Sequence, residues 1–125
     1  MRVAGTPSRT ATEGCLFLIR GRIVGGGTQT TCLRKIDGFP DPGATTRSRG
    51  SMAFVLPHGT IRTRVSITQR FGRDGAHARQ TLRGSIVGGT GAYRQARGRV
   101  TGTGTVVDRA LSLGPVNVRY MLVLR

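Results

Sequence analysis

Residues 60–71 read Thr60-Ile61-Arg62-Thr63-Arg64-Val65-Ser66-Ile67-Thr68-Gln69-Arg70-Phe71, with Ile61, Val65 and Ile67 on one parity and Arg62, Arg64 and Arg70 on the other. Successive side chains of a strand point to opposite faces, so this alternation predicts a half-buried β-strand with an apolar inner face and a cationic outer one. The same grammar extends in both directions. Upstream, Pro57-His58-Gly59 is a tight turn and Ser51 to Leu56 a strand. Downstream, Gly72 to Gly75 turn the chain into Ala78 to Val87, where Leu82 and Ile86 oppose Arg79 and Arg83.

Further strands are expected from Gly98 to Asp108 and, after a turn at Leu113-Gly114-Pro115, from Val116 to Leu124. Towards the N-terminus, Glu13 to Val24 sets Cys15, Phe17, Ile19 and Ile23 on one parity, and Gly25-Gly26-Gly27 hands over to a partner at Thr28 to Leu33. Pro40 and Pro42 mark 37–49 as a long loop able to serve as a flap, because proline lacks the donor that a ladder needs. Residues 1–12 show no periodicity and are expected to be a poorly ordered terminus or an edge strand, leaving 13–125 as one domain. Seven or eight short strands protect their edges by curling shut. The fold class is therefore all-β, a small antiparallel up-and-down barrel of about eight strands.

A chain of 125 residues supports one core, and its 20 glycines with repeated Thr and Val suit strands and turns. The formal charge of +15 raises polyanions as partners. Lys35 is the single lysine among 20 basic residues, and the 19 arginines are scattered from Arg2 to Arg125, a bias that a coding sequence rich in G and C also produces. With six aromatics and no run that interleaves them with basic residues, the pattern argues against specific nucleic-acid recognition and leaves non-specific adhesion to polyanions at low salt. No apolar stretch approaches the ~20 residues of a membrane span. The compartment follows the chain's start: cytosolic if Met1 is the native first residue, exported if a leader has been removed.

Cys15 and Cys32 can form one disulfide if the protein is exported or stay as small buried hydrophobes in the cytosol; on a hairpin turning at Gly25-Gly26-Gly27, Cys15 faces a position near 37, out of register with Cys32, which favours the free pair. Two His and two Cys without metal-ligand spacing speak against a zinc site, and no phosphate-binding loop is present. If the arginine-bearing parity faces out, Gly98, Val100, Gly102, Gly104, Val106 and Asp108 face in, and the glycines either let the strand bend or leave room for a ligand.

Gly88-Gly89-Thr90-Gly91 ends a strand, and Tyr93 and Ala96 lie three apart, so that one helical turn near 91–97 aims both at one end of a barrel as a plug. The string Gly88-Gly89-Thr90-Gly91-Ala92-Tyr93-Arg94-Gln95-Ala96-Arg97-Gly98 resembles the signature of dirigent proteins and of bacterial allene oxide cyclase-like barrels. The likeness covers roughly residues 50–125. It implies an eight-stranded barrel, a homo-oligomer of two or three subunits, no cofactor, and an apolar cavity that holds a reactive small molecule for cyclisation, isomerisation or stereoselective coupling. The cavity acids of the plant members find no matching motif here.

Glu13 and Asp108 share the inward parity at strand ends and are the candidate acid–base residues; the alternative for each is a hydrated acid paired with arginine. Tyr120 is the inward polar group best suited to donate to a ligand, the alternative being a core tyrosine satisfied by backbone. Expected lining residues are Phe17, Ile19, Phe54, Ile61, Thr63, Val65, Gln80, Leu82, Val100, Val106 and Leu122. A non-catalytic binding or structural barrel is the competing function.

Overall fold

Alternation of apolar and polar residues closes on itself in this chain. The computed structural model describes residues 1–12, 14–109 and 112–125, and of residues 11, 12, 109 and 112 the backbone only. Eight antiparallel strands follow in order: β1 (Arg2–Thr12), β2 (Cys15–Ile23), β3 (Thr28–Asp37), β4 (Thr45–Leu56), β5 (Gly59–Phe71), β6 (His77–Gly89), β7 (Gly98–Arg109) and β8 (Ser112–Leu124). Each pairs with the next, and β1 pairs with β8, giving a closed up-and-down barrel. Gly91–Tyr93 forms a single 3-10 turn between β6 and β7. Among the described residues no helix is long and apolar enough to cross a membrane.

Inward parities behave as the alternation requires. Ile61, Thr63, Val65 and Ile67 of β5 are buried while Arg62, Arg64 and Arg70 are exposed, and β6 buries Leu82 and Ile86 against exposed Arg79 and Arg83. Phe54 and Val100 are fully buried, and the Phe54 ring meets Tyr120 edge-on at 5.3 Å between centroids.

Four expectations change. Residues 2–12 are β1, not a loose terminus: the strand pairs with β2 from Val3 to Thr12 and with β8 over Arg2 to Gly5. Their periodicity is hidden because the inward parity holds Val3, Pro7 and Arg9, a buried valine followed by a proline and an arginine rather than an apolar row, and the register with β2 shifts between Ala4 and Ser8. The long loop shrinks to the stretch between Asp37 and Thr45, because β4 begins at Thr45 and alternates exposed Arg47 and Arg49 with buried Thr46 and Ser48. Leu113-Gly114-Pro115 lies inside β8. Pro115 falls where the β7–β8 register shifts between Val106 and Asp108, a bulge in which its missing N–H leaves no ladder partner short.

Cys15 and Cys32 are not free: they form a disulfide with Cα atoms 5.4 Å apart. The register argument fails because the last β2–β3 pair is Phe17 with Leu33, and Cys15 beyond it pairs with Thr12 of β1. Released from the β2–β3 ladder, it swings over Cys32. The bridge closes a sequence separation of 17, a loop whose closure restricts the unfolded chain by about 3 kcal/mol. Replacing both cysteines by serine, or adding reductant to the parent, is expected to lower unfolding free energy by that order, measured by urea denaturation.

Candidate functional site

An up-and-down barrel collects alternate hairpins at each end. The β2–β3 and β4–β5 hairpins and the β6–β7 connection share one end, and the β1–β2, β3–β4, β5–β6 and β7–β8 hairpins the other. The first end is shut. Tyr93 and Ala96 pack against the core there, held by Thr90 N donating to Thr60 O at 2.9 Å, Ala92 N to His58 O at 2.8 Å and Ala96 N to Tyr93 O at 3.0 Å. Gly91 sits at φ +60° with a virtual Cβ 2.4 Å from His58 O, so a side chain would push the plug off.

The other half holds a cavity of about 440 Å³. Its walls are largely apolar, with Phe17, Ile19, Leu33, Met52, Ile67 and Phe71 on β2 to β5 and Val106, Val116 and Val118 on β7 and β8. Ile36, Gly38, Phe39 and Pro40 border it from the β3–β4 side. Phe39 is 76% exposed, an apolar ring standing at the rim.

Polar side chains interrupt the wall at defined points. Arg9 Nη2 donates to Asp108 Oδ1 at 2.7 Å, both side chains being about one-fifth exposed (18% and 21%). The Arg9 guanidinium lies 4.8 Å over the Phe17 ring, a cation–π contact, and its Nε is buried without a hydrogen-bond partner among the described residues. Gln69 Nε2 donates to Gln80 Oε1 at 3.1 Å, and Gln29 donates to Thr31. Tyr120 borders the cavity, and among the described residues its hydroxyl has no hydrogen-bond partner. Burial pushes the phenol well above its ordinary pKa, so it stays protonated and able to donate.

The structure brings together Phe17, Ile19, Gln80, Val106, Asp108 and Tyr120 of the expected site. Phe54, Ile61, Thr63, Val65, Leu82, Val100 and Leu122 face inward too but do not border the cavity; they belong to the filled half. Thr63 is satisfied there, its Oγ1 donating to Met52 O at 2.9 Å. Glu13 lies outside the described residues. Asp108 is the arginine-paired acid, with a partner 99 positions away. The inward glycines of β7 do not leave ligand space: a Cβ on Gly102 would lie 2.8 Å from the Tyr120 ring, and one on Gly104 2.1 Å from Asn117 O. Gly102 is the seat of Tyr120.

Arg9, Gln29, Thr31, Ser48 and Gln69 were not anticipated. The usable signal is topological: inward residues nearest the four odd-numbered hairpins share one end, whereas inward parity alone mixes both ends. Comparison with protein-family models, curated proteins and solved structures finds no match to this chain.

Two outcomes are expected at this site and its rim. Because the Tyr120 hydroxyl has no partner among the described residues, Tyr120→Phe should shift unfolding free energy by no more than about 1 kcal/mol in urea denaturation. In the β5–β6 turn, the N–H groups of Ala76 and His77, then the His77 ring, hold the Asp74 carboxyl at about 2, below its ordinary 3.8. A depressed folded-state pKa stabilises above the unfolded value and is lost as pH falls through the folded one. The melting-temperature difference between the parent and Asp74→Asn should therefore disappear as pH drops from near 4 to near 2.

Proposed function

We propose that the barrel binds an apolar or amphipathic small molecule in its open half and steers cyclisation, isomerisation or stereoselective coupling, in the manner of the dirigent and allene oxide cyclase-like barrels that its signature resembles. The observation that carries this reading is the cavity of about 440 Å³ with mainly apolar walls and a phenol that has no hydrogen-bond partner among the described residues. That volume lies within the range of ligand sites, in which a few placed polar groups orient an otherwise apolar guest. Tyr120 donates to a carbonyl or hydroxyl of the guest, the Gln69–Gln80 pair offers a second polar contact, and the apolar wall excludes water. Holding a flexible molecule in one folded conformation is itself rate-enhancing, because the entropy of finding that conformation is lost on binding. No cofactor enters this reading, and the resemblance extends it to a dimer or trimer.

One observation favours the non-catalytic alternative. Asp108, the carboxylate on the cavity wall among the described residues, is engaged by Arg9 and offers no free base. Under that alternative the parent binds its guest and returns it unchanged, and Asp108→Asn leaves guest affinity untouched; under the leading reading the parent converts the bound guest to one product.

Val116 is half-buried and borders the cavity, so Val116→Phe fills space without opening the barrel. Binding of an apolar fluorescent probe should weaken at least about tenfold, the loss of roughly 1.4 kcal/mol of contact, while melting temperature holds. Native mass spectrometry of the parent should show one small molecule per subunit. An empty cavity with no probe affinity would overturn the reading.

A further inference from the structure

Among the described side chains, the outward positions of β4 to β7 carry eight exposed arginines: two on β4, three on β5, two on β6 and one on β7. Among the described residues the same positions hold no carboxylate, and none of the eight joins an ion pair. A bias towards G and C in the coding sequence raises arginine numbers but does not order them.

Ordered they are, by strand register. Arg34 Nη1 donates to Ser51 Oγ at 3.1 Å, Ser51 pairs with Arg64, Arg64 with Ser85, and Ser85 with Arg99. The adjacent row runs Lys35, Arg49, Ser66, Arg83 and Thr101 by the same pairings. Strands lie about 4.8 Å apart, so along the first row cations recur about every 10 Å with a hydroxyl between. Lys35 stands opposite Arg49, and Arg70 opposite Arg79. Like charges directly opposite weaken a sheet, so this face has a standing deficit of counter-charge that an external anion relieves.

Guanidinium is a planar fork matched to carboxylate and sulfate, and serine and threonine hydroxyls serve the neutral oxygens of a polymer. The face is convex and has no aromatic platform. Phe54, Phe71 and Tyr120 turn inward, Phe17 borders the cavity, Tyr93 packs at the closed end, and exposed Phe39 stands on the mouth rim. Stacking of unpaired bases therefore has no support on this face. The Cys15–Cys32 bridge fits an oxidising compartment, where acidic polysaccharides are the polyanions at hand. We infer that the outer face of β4–β7 is a docking surface for a linear acidic polysaccharide, whose carboxylate or sulfate groups lie along the arginine rows. This surface is independent of the cavity and of what the cavity binds.

The test titrates the full chain with heparin and with polygalacturonate, and in parallel with duplex DNA and anionic lipid vesicles, from low to physiological salt. At least one polysaccharide should bind more tightly than DNA or vesicles at equal salt. The triple variant Arg64→Ser, Arg83→Ser, Arg99→Ser should lose at least about tenfold in affinity and flatten the salt slope by about three, one per lost contact. The variant Arg2→Ser, Arg20→Ser, Arg22→Ser removes the same charge from β1 and β2 and should lose less than about threefold. Polysaccharide should also raise the melting temperature of the parent and not that of the face variant. Equal losses in the two triple variants, tighter binding to DNA or vesicles, or no polysaccharide binding would each overturn the proposal.

Discussion

Everything in this molecule depends on a short seam. The pairing of β1 with β8 covers Arg2 to Gly5 against Val116 to Arg119, and it turns a curved sheet into a barrel with an inside. Beyond Gly5 the ladder between those strands stops, and the Arg9–Asp108 ion pair links β1 to β7 past the unpaired stretch. Along that stretch β1, its register shifted between Ala4 and Ser8, brings Pro7 and Arg9 to the cavity wall, where a solid core would carry larger apolar side chains.

The two halves divide the work. In the closed half, Phe54, Ile61, Ile86 and Val100 fill the interior, and the turn bearing Tyr93 and Ala96 seals it. In the open half, the walls carry glutamines, threonines and an ion pair at points where a solid core would carry leucine or valine. Tyr120 stands at the boundary, its ring packed on Gly102 and Phe54 and its hydroxyl without a partner among the described residues. Removing the Cβ at position 102 lets an aromatic ring lie flat against β7, so a residue that looks like spare volume is in fact occupied.

Legibility followed regularity. β5, β7 and β6 as far as Val87 alternate without interruption, and their inner and outer faces were readable from parity, as was the plug from the spacing of Tyr93 and Ala96. β1 was hidden because its inward parity carries Pro7 and Arg9 instead of an apolar row, the start of β4 by Pro40 and Pro42 just before it, and the disulfide by a pairing between Cys15 and Thr12 that no hairpin count from Gly25-Gly26-Gly27 includes. The site was half legible. Parity identifies what points inward but not how far along the axis it lies, and depth along the axis separates Val106, on the cavity, from Val100, in the packed half.

The seam also has a consequence for the chain during synthesis. Its two strands come from opposite ends of the sequence, so β1 waits without one neighbour until β8 has emerged from the ribosome, and β7 exposes its other edge over the same interval. Closure of so distant a pair is slow relative to hairpin formation. Unpaired edges invite pairing with other nascent chains, and cationic side chains along such edges discourage it. Arg2 on β1 and Arg99 on β7 stand at those waiting edges, so each edge carries a cation of the kind that opposes pairing between copies.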